Sequence, residues 1–467
     1  MVFVAGEDGT QHHRFTSLFD LWITGVGAVI AGDFFGWTLV VESGLGMGFV
    51  LVGSVGVLYA GLAMSIAELA VVPNAKGVAA HQFVVPYLGQ TAGVVCAIGE
   101  TLKCVCSTAA AVASIAAYLA ESLALPEWTQ EVIWAFVVVG IGVVAARGEV
   151  SHGFQVTATA LSLLILGIFY ASAAATGSLG APKLNTFSHH KVTEAVPFAL
   201  WFYVGVEGLP LAAPETSAPT ALLPRAIVGV VVTVGLAAVL TLLASSSLAN
   251  QQTLLRVNSH PLLATFRKAW GEHNPATATM AFLVVAGLVA SLNAFLFYTK
   301  ELLSQLAADF FPNARATRPL TTAAAAILAA LYLLAFALDN DVADVSDAIL
   351  WIAICGATVA YAAQLVAFLA MRHQHRYLDM FHWRSPFGAT GAVVAVLLDL
   401  VVFLCLVLSA VERPKYQPGA IASLLFFAIG LALFARRSQA PSNDDDDDDD
   451  DDVVSPFPFQ LEEEDKY

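Results

Sequence analysis

Gly32-Asp33-Phe34-Phe35-Gly36-Trp37 falls roughly in the middle of the first long apolar stretch, which starts near Leu18 and runs to about residue 42. A charged side chain at bilayer depth costs on the order of 2.5–3.5 kcal/mol even on the lenient insertion scale. Each flanking glycine weakens a helix by about 1 kcal/mol relative to alanine. Irregular backbone at that depth survives only when it is buried in protein or lines a cavity. Two readings are available: a packing kink whose aspartate is capped by a neighbouring helix, or a broken helix that forms a binding site. The second is the better account of an acid set between two helix breakers.

The rest of the chain fits a membrane setting. It is 58% hydrophobic and 12% charged, with a mean hydropathy of +0.73, which excludes an ordinary soluble domain. The net charge of −16 misleads, because Asp444 to Tyr467 holds thirteen acidic residues and one lysine, leaving the body at −4. Nine consecutive aspartates repel one another and bury nothing, so residues 438–467 are expected to form a disordered acidic tail. No basic patch suits a nucleic acid. Cys96, Cys104, Cys106, Cys355 and Cys405 all fall in apolar stretches, which makes them packing residues rather than a disulfide framework. Cys104 and Cys106 point in different directions on a helix, so neither a metal nor a cofactor is expected. The polar N-terminus through His13 lacks a signal-peptide core, so the first apolar stretch is kept as a span.

About twelve stretches are long enough to cross about 30 Å. They lie near residues 18–42, 46–70, 84–120, 130–146, 154–176, 193–213, 223–248, 276–306, 321–338, 345–371, 387–410 and 418–435. The third is long enough to be tilted or to include an interfacial helix. Arg147, Arg225, Arg315, Arg318, Arg372, Arg376, Arg384, Arg436 and Arg437 gather in loops of one side, which predicts that both termini are cytoplasmic. Between Ser259 and Trp270, Leu262, Leu263, Phe266, Ala269 and Trp270 share one helical face and predict a short outer helix over the bundle.

A second break sits in the sixth stretch, at Trp201-Phe202-Tyr203-Val204-Gly205-Val206-Glu207-Gly208-Leu209-Pro210. Proline in a helix interior removes a backbone hydrogen bond and costs roughly 3 kcal/mol. The first and sixth stretches hold corresponding places in two five-helix halves. Paired interruptions of this kind are the best sequence pointer to a secondary transporter built on inverted repeats.

Several motifs in order carry a resemblance. They are Gly-Asp-Phe-Phe-Gly-Trp at 32–37, Ala67-Glu68-Leu69 with Pro73 and Gly77, and Ala97-Ile98-Gly99-Glu100-Thr101. Then come Gly205-Val206-Glu207, Pro214-Glu215-Thr216-Ser217-Ala218-Pro219 with Pro224-Arg225, and Asn293 through Lys300 to Phe311-Pro312. Together they resemble the amino acid–polyamine–organocation superfamily, and within it the ethanolamine permease branch, from about Asp20 to Ala435. Lys76 departs from the pattern, where a second glycine is usual, and lysine replaces the usual arginine at 300.

The resemblance implies an all-α membrane fold of about twelve transmembrane helices. A LeuT-like 5+5 inverted-repeat core with discontinuous helices 1 and 6 would occupy 18–176 and 177–371. Two peripheral helices would follow at 372–437, after an N-terminal segment at 1–17. It implies a secondary active transporter, or permease, for a small amine or amino acid, with ethanolamine favoured and alternating access as the mechanism. A nutrient receptor on the same scaffold, or a neutral amino acid exchanger, are the alternatives. The site would be built from Gly32, Asp33, Phe34, Phe35, Gly36, Phe202, Tyr203, Gly205, Val206, Glu207 and Gly208. Helix N-termini at the breaks offer N–H groups and a positive dipole end. Asp33 and unwound carbonyls offer acceptors to an ammonium, and Trp201 and the other aromatics can stack on it or close the site.

Glu100 and Lys103 are three apart on a helix and can pair. Proton-coupled relatives place a lysine where Ser162 stands here, and sodium-coupled relatives use paired Ser/Thr in the eighth helix, where only Ser291 is found, in Ala290-Ser291-Leu292-Asn293. Coupling by a proton through Asp33, Glu100 or Glu207, coupling by sodium, and exchange without an ion all stay open at this level. His152 reads as an interface residue, and Asp399 as facing either a dimer contact or a neighbouring helix. No enzyme constellation is present, neither Gly-x-Ser-x-Gly nor His-Glu-x-x-His. The chain is expected in the plasma membrane, with the lipid bilayer and a small solute as its partners; its oligomeric state is not legible.

Overall fold

The computed structural model describes residues 14–35, 37–72, 78–123, 125–126, 129–130, 132–137, 140, 152–175, 189–248, 261–271, 274–310, 342–374 and 383–438. Every extended element among them is helical. In chain order these are α1 Leu18–Val29, α2 Thr38–Glu42, α3 Leu45–Leu69, α4 Ala80–Ser122, α5 His152–Ala175, α6 His189–Phe198 and α7 Pro219–Leu248. They continue as α8 Pro261–Trp270, α9 Pro275–Leu283, α10 Val285–Phe310, α11 Val342–Gln374, α12 Gly388–Glu412 and α13 Gln417–Ser438.

Among the described residues eight segments are long and apolar enough to span a bilayer. The first stretch is divided by its break, and the eighth is divided at Val284 between α9 and α10. The expected spans at 130–146, for the most part, and at 321–338 lie outside the described residues, as do Gly36 and the acidic tail.

The first span starts firmly and ends early. Ser17 accepts from the backbone N–H of Asp20, and the Asp20 carboxylate accepts from Ser17 N at 2.9 Å, a reciprocal cap. The helix then tightens into a 3₁₀ turn over Ile30–Asp33 before α2 resumes at Thr38. The sixth span does the same: α6 tightens to a 3₁₀ turn over Ala199–Phe202, and a longer 3₁₀ segment covers Val206–Glu215. Between them Gly205 adopts φ 119°, a left-handed backbone that an L side chain resists. Pro210 and Pro214 bring no N–H to the second segment, which is why it does not continue as regular α-helix.

The two breaks meet. A methyl group on Gly32 would land on the Trp201 carbonyl, and one on Gly205 would lie 3.3 Å from Ala28 Cβ. Only glycine permits that approach.

Around the breaks, α4 lies along α11 and α10, with Gly99 and Gly356 bringing the α4 and α11 backbones together. Helices in lipid gain little from hydrophobic attraction, so such small-residue contacts carry much of their packing. Gly89 (φ 83°) bends α4, so that its first turns fold back and the His81 carbonyl would lie 3.6 Å from a methyl on Gly93. The long third stretch is therefore a short bent segment followed by a span. The outer surfaces of α12 and α13 expose Leu397, Leu400, Leu404, Leu424, Leu425 and Leu433, as helices facing acyl chains do. The amphipathic helix expected before Trp270 is α8, with Leu262 and Phe266 fully buried.

Residues 14–17 pin the start of α1 to the end of the second break. Phe15 N donates to Glu215 O and Ser217 N to Phe15 O, both at 3.0 Å, while Arg14 lies 3.7 Å from Glu215. His152 at the start of α5 shares a 3.1 Å hydrogen bond with Asp20.

Candidate functional site

Asp33 ends the first 3₁₀ turn and is only 1% exposed. The backbone around it is held from three sides. Trp37 Nε1 donates to the Asp33 carbonyl at 3.1 Å, and the Tyr118 hydroxyl of α4 donates to the Phe34 carbonyl at 2.6 Å. The Ser291 hydroxyl of α10 accepts from Ala31 N at 3.0 Å and donates to Gly27 O at 2.7 Å. These contacts satisfy groups that the end of a helix leaves open.

The carboxylate itself is half used. Thr241 of α7 donates to Asp33 Oδ1 at 2.7 Å, and Thr241 in turn shares a 2.9 Å hydrogen bond with the Tyr170 hydroxyl of α5. Asp33 Oδ2 is buried with no hydrogen-bond partner among the described residues. A neighbouring helix thus caps one oxygen, as the packing reading expects, while the other accepts from none of the described residues. A buried acceptor left alone costs about 1–3 kcal/mol, more when charged, so this oxygen favours a donor, a cation or a proton. Trp201 Nε1, across the junction of the breaks, is a second buried polar atom without a partner there. Its ring meets Phe35 edge-on at 5.7 Å.

The other aromatic candidates are mostly committed. Phe34 packs on Gly287, whose missing side chain makes the space for its ring. Phe202 is fully buried. The Tyr203 hydroxyl donates to Val52 O at 3.1 Å, and its ring stacks on Tyr59 at 5.3 Å.

Glu207 builds the second break. Its carboxylate accepts from Gly205 N at 3.2 and 3.1 Å, holding the left-handed turn two residues before it. Lys103 Nζ of α4 donates to Glu207 Oε1 at 2.7 Å and to Glu100 Oε1 at 2.6 Å. Tyr361 of α11 donates to Glu207 Oε1 at 2.6 Å, and its hydroxyl lies 2.8 Å from that of Tyr59 on α3. The i,i+3 pair legible in the sequence is thus one half of a buried triad. Removing one partner of such a pair typically costs 3–5 kcal/mol. Val206 starts the following 3₁₀ segment, fully buried, and Gly208 leaves room for the Tyr298 ring.

Of the coupling candidates, Ser291 reaches the first break, Asn293 approaches α1 only through Gln155, and Ser162 does neither. Asn293 Nδ2 donates to Gln155 Oε1, and Gln155 Nε2 donates to Ala290 O at 3.2 Å. Gln155 and Thr159 stand where a side chain on Gly27 would be, so α5 approaches α1 through them. The Ser162 hydroxyl instead donates to Ala158 O at 2.6 Å in its own helix. Asp399 is buried against neighbouring helices, with Oδ1 unpartnered among the described residues. The residues that sequence reading passed over are Thr241, Tyr170, Tyr118, Gln155, Tyr59 and Tyr361. Each is a lone polar residue in an apolar helix, and that was their only signal.

The sequence matches none of the curated proteins with which it was compared. Among protein families it matches Amino acid permease over residues 21–435, which takes in both breaks, the triad and all the candidate residues above. The chain belongs to the amino acid permease family, as an integral, multi-pass membrane protein of that transporter family.

Proposed function

We propose that the chain is a secondary transporter for a small ammonium-bearing solute, ethanolamine first and neutral amino acids second, working by alternating access at the two breaks. One observation carries the reading: a buried carboxylate at the first break, Asp33, with one oxygen fixed by Thr241 and the other unpartnered among the described residues. A zwitterionic amino acid needs its carboxylate met by helix N-termini. An amino alcohol lacks that group, and a dedicated aspartate beside the break compensates its amine instead. The aromatic Trp201–Phe35 pair supplies faces for a cation, and Trp201 Nε1 a donor for a hydroxyl or carboxylate.

In this reading 18–176 and 177–371 are the two repeats, each led by its broken helix, and 372–437 are peripheral. Both termini are assigned to the cytoplasm, in the plasma membrane. Gly32 against the Trp201 backbone and Gly205 against Ala28 form the hinge contacts, because the two segments approach most closely there. Purified protein in liposomes, loaded with one solute and offered labelled ethanolamine or labelled neutral amino acids, tests the proposal. Counterflow fastest for ethanolamine is expected. Counterflow of amino acids alone would shift the substrate class, and binding without any counterflow would favour a receptor.

A further inference from the structure

The triad at the second break is unbalanced. One ammonium, Lys103, lies between two carboxylates, all three buried. The titratable groups facing it from the packed elements are Tyr361 on α11, Tyr298 on α10 and Tyr59 on α3, with Asp399 of α12 behind Tyr59. On α4 itself they are Cys96, Cys104 and His81. Phenols and thiols bring no second positive charge, Asp399 adds a further acid, and the His81 imidazole is already shared with its own carboxylate, Asp309, at 2.7 Å.

Two carboxylates sharing one site do not both ionise readily without a compensating cation. The hydrogen bonds decide which one gives way. Glu207 accepts from Lys103, Tyr361 and the backbone of Gly205, a full set for an anion. Glu100 accepts from Lys103 on Oε1 alone, and its Oε2 is buried with no partner among the described residues. We propose that Glu100 is the proton-binding site of this transporter, loaded while Lys103 is held by Glu207 and emptied when the second break swings away.

The mechanism follows from the shared lysine. When Glu207 moves off with its 3₁₀ segment, the whole Lys103 charge falls to Glu100. The Glu100 O–H bond then breaks, leaving a carboxylate paired with the ammonium. The proton then passes, in this proposal, to a base nearer the end of α4. His81, buried beyond the bend at Gly89, lies within electrostatic reach of Glu100 and shares a 2.7 Å hydrogen bond with Asp309 of α10. Asp309 also accepts from Gln82 at 2.9 Å, and its side chain is 23% exposed. In this proposal His81 and the part-buried Asp309, at the end of the bundle where α4 starts and α10 finishes, the face assigned to the cytoplasm, receive the proton that Glu100 releases. Proton occupancy and the position of the break are thus two readings of one equilibrium, which is what coupling requires.

The inference rests on the transport reading, and the test separates the two. Protein in liposomes with a lumenal pH dye is given labelled ethanolamine, with labelled neutral amino acids in parallel, under an acid-outside gradient. A gradient of ~1 pH unit should support about tenfold accumulation per coupled proton, and solute entry should acidify the lumen. Folded Glu100→Gln should lose both accumulation and lumenal acidification while solute counterflow, which needs no ion, continues. His81→Gln should slow acidification without weakening solute binding, and it stands in should Glu100→Gln elute as aggregate. Counterflow by wild type with no proton movement would overturn this inference alone, as would undiminished acidification by folded Glu100→Gln or unchanged acidification kinetics in His81→Gln. Absence of wild-type counterflow would remove the transport reading and this one with it.

Discussion

Replacing Asp33 by Asn keeps the size of the side chain and removes its charge. In the structure the Asn oxygen can still accept from Thr241, so the cap on α7 is preserved and the amide nitrogen takes the place of the unpartnered Oδ2. That atom then donates where an ammonium would have to donate. A hydrogen bond between an ammonium and a carboxylate in a site shielded from water is worth roughly 1.5–3 kcal/mol. At about 1.4 kcal/mol per decade, Asp33→Asn should weaken ethanolamine binding about ten- to a hundredfold. A neutral amino acid should lose less, because its carboxylate would no longer face a like charge. Competition against a labelled solute in liposomes, at matched folded protein, measures both. Thr241→Val is the control: it frees Oδ1 but leaves the charge, so affinity should change less than in Asp33→Asn. Asp33→Asn protein that elutes as a single species and binds ethanolamine as wild type does would refute the amine site. A lowered folded yield with unchanged solute preference would instead assign Asp33 to packing alone.

Three further outcomes follow from the geometry. Gly32→Ala puts a methyl group on the Trp201 carbonyl and must push the breaks apart, so transport should fail in vesicles even where protein is recovered, whereas Gly53→Ala, with open space around it, should be silent. Lys103→Met leaves Glu207 and Glu100 buried without their cation, and a loss of about 3–5 kcal/mol should show as a collapse of the monodisperse peak in gel filtration. Deleting Asp444 to Tyr467 should leave folding and transport by purified protein nearly unchanged, since the segment has too little apolar surface to pack; loss of activity in vesicles would make the tail part of the machine.

The sequence alone was enough to place this chain in a membrane and to locate both breaks. Hydropathy measures the cost of burial directly, and a Gly-Asp pair or a Gly-x-Glu-Gly-x-Pro run inside an apolar stretch contradicts helix propensity by several kcal/mol, in whichever fold it is found. The Glu100–Lys103 pair was legible for the same reason, because i,i+3 neighbours meet on any helix. What the sequence could not supply was direction across helices. Thr241 meets Asp33 from 208 positions away, and Tyr361 meets Glu207 from 154. A single threonine or tyrosine in an apolar helix looks the same whether it faces a site or, like Ser162, bonds back to its own turn. Which oxygen of Asp33 is fixed, and which carboxylate of the triad is left short of donors, depend on how α4, α7 and α11 are rotated about their axes. That rotation is set by close contacts such as Gly99 on Gly356 and Gly205 on Ala28, between residues with little or no side chain to announce them. Helix packing, and not the pattern of any one segment, decided the chemistry of the site.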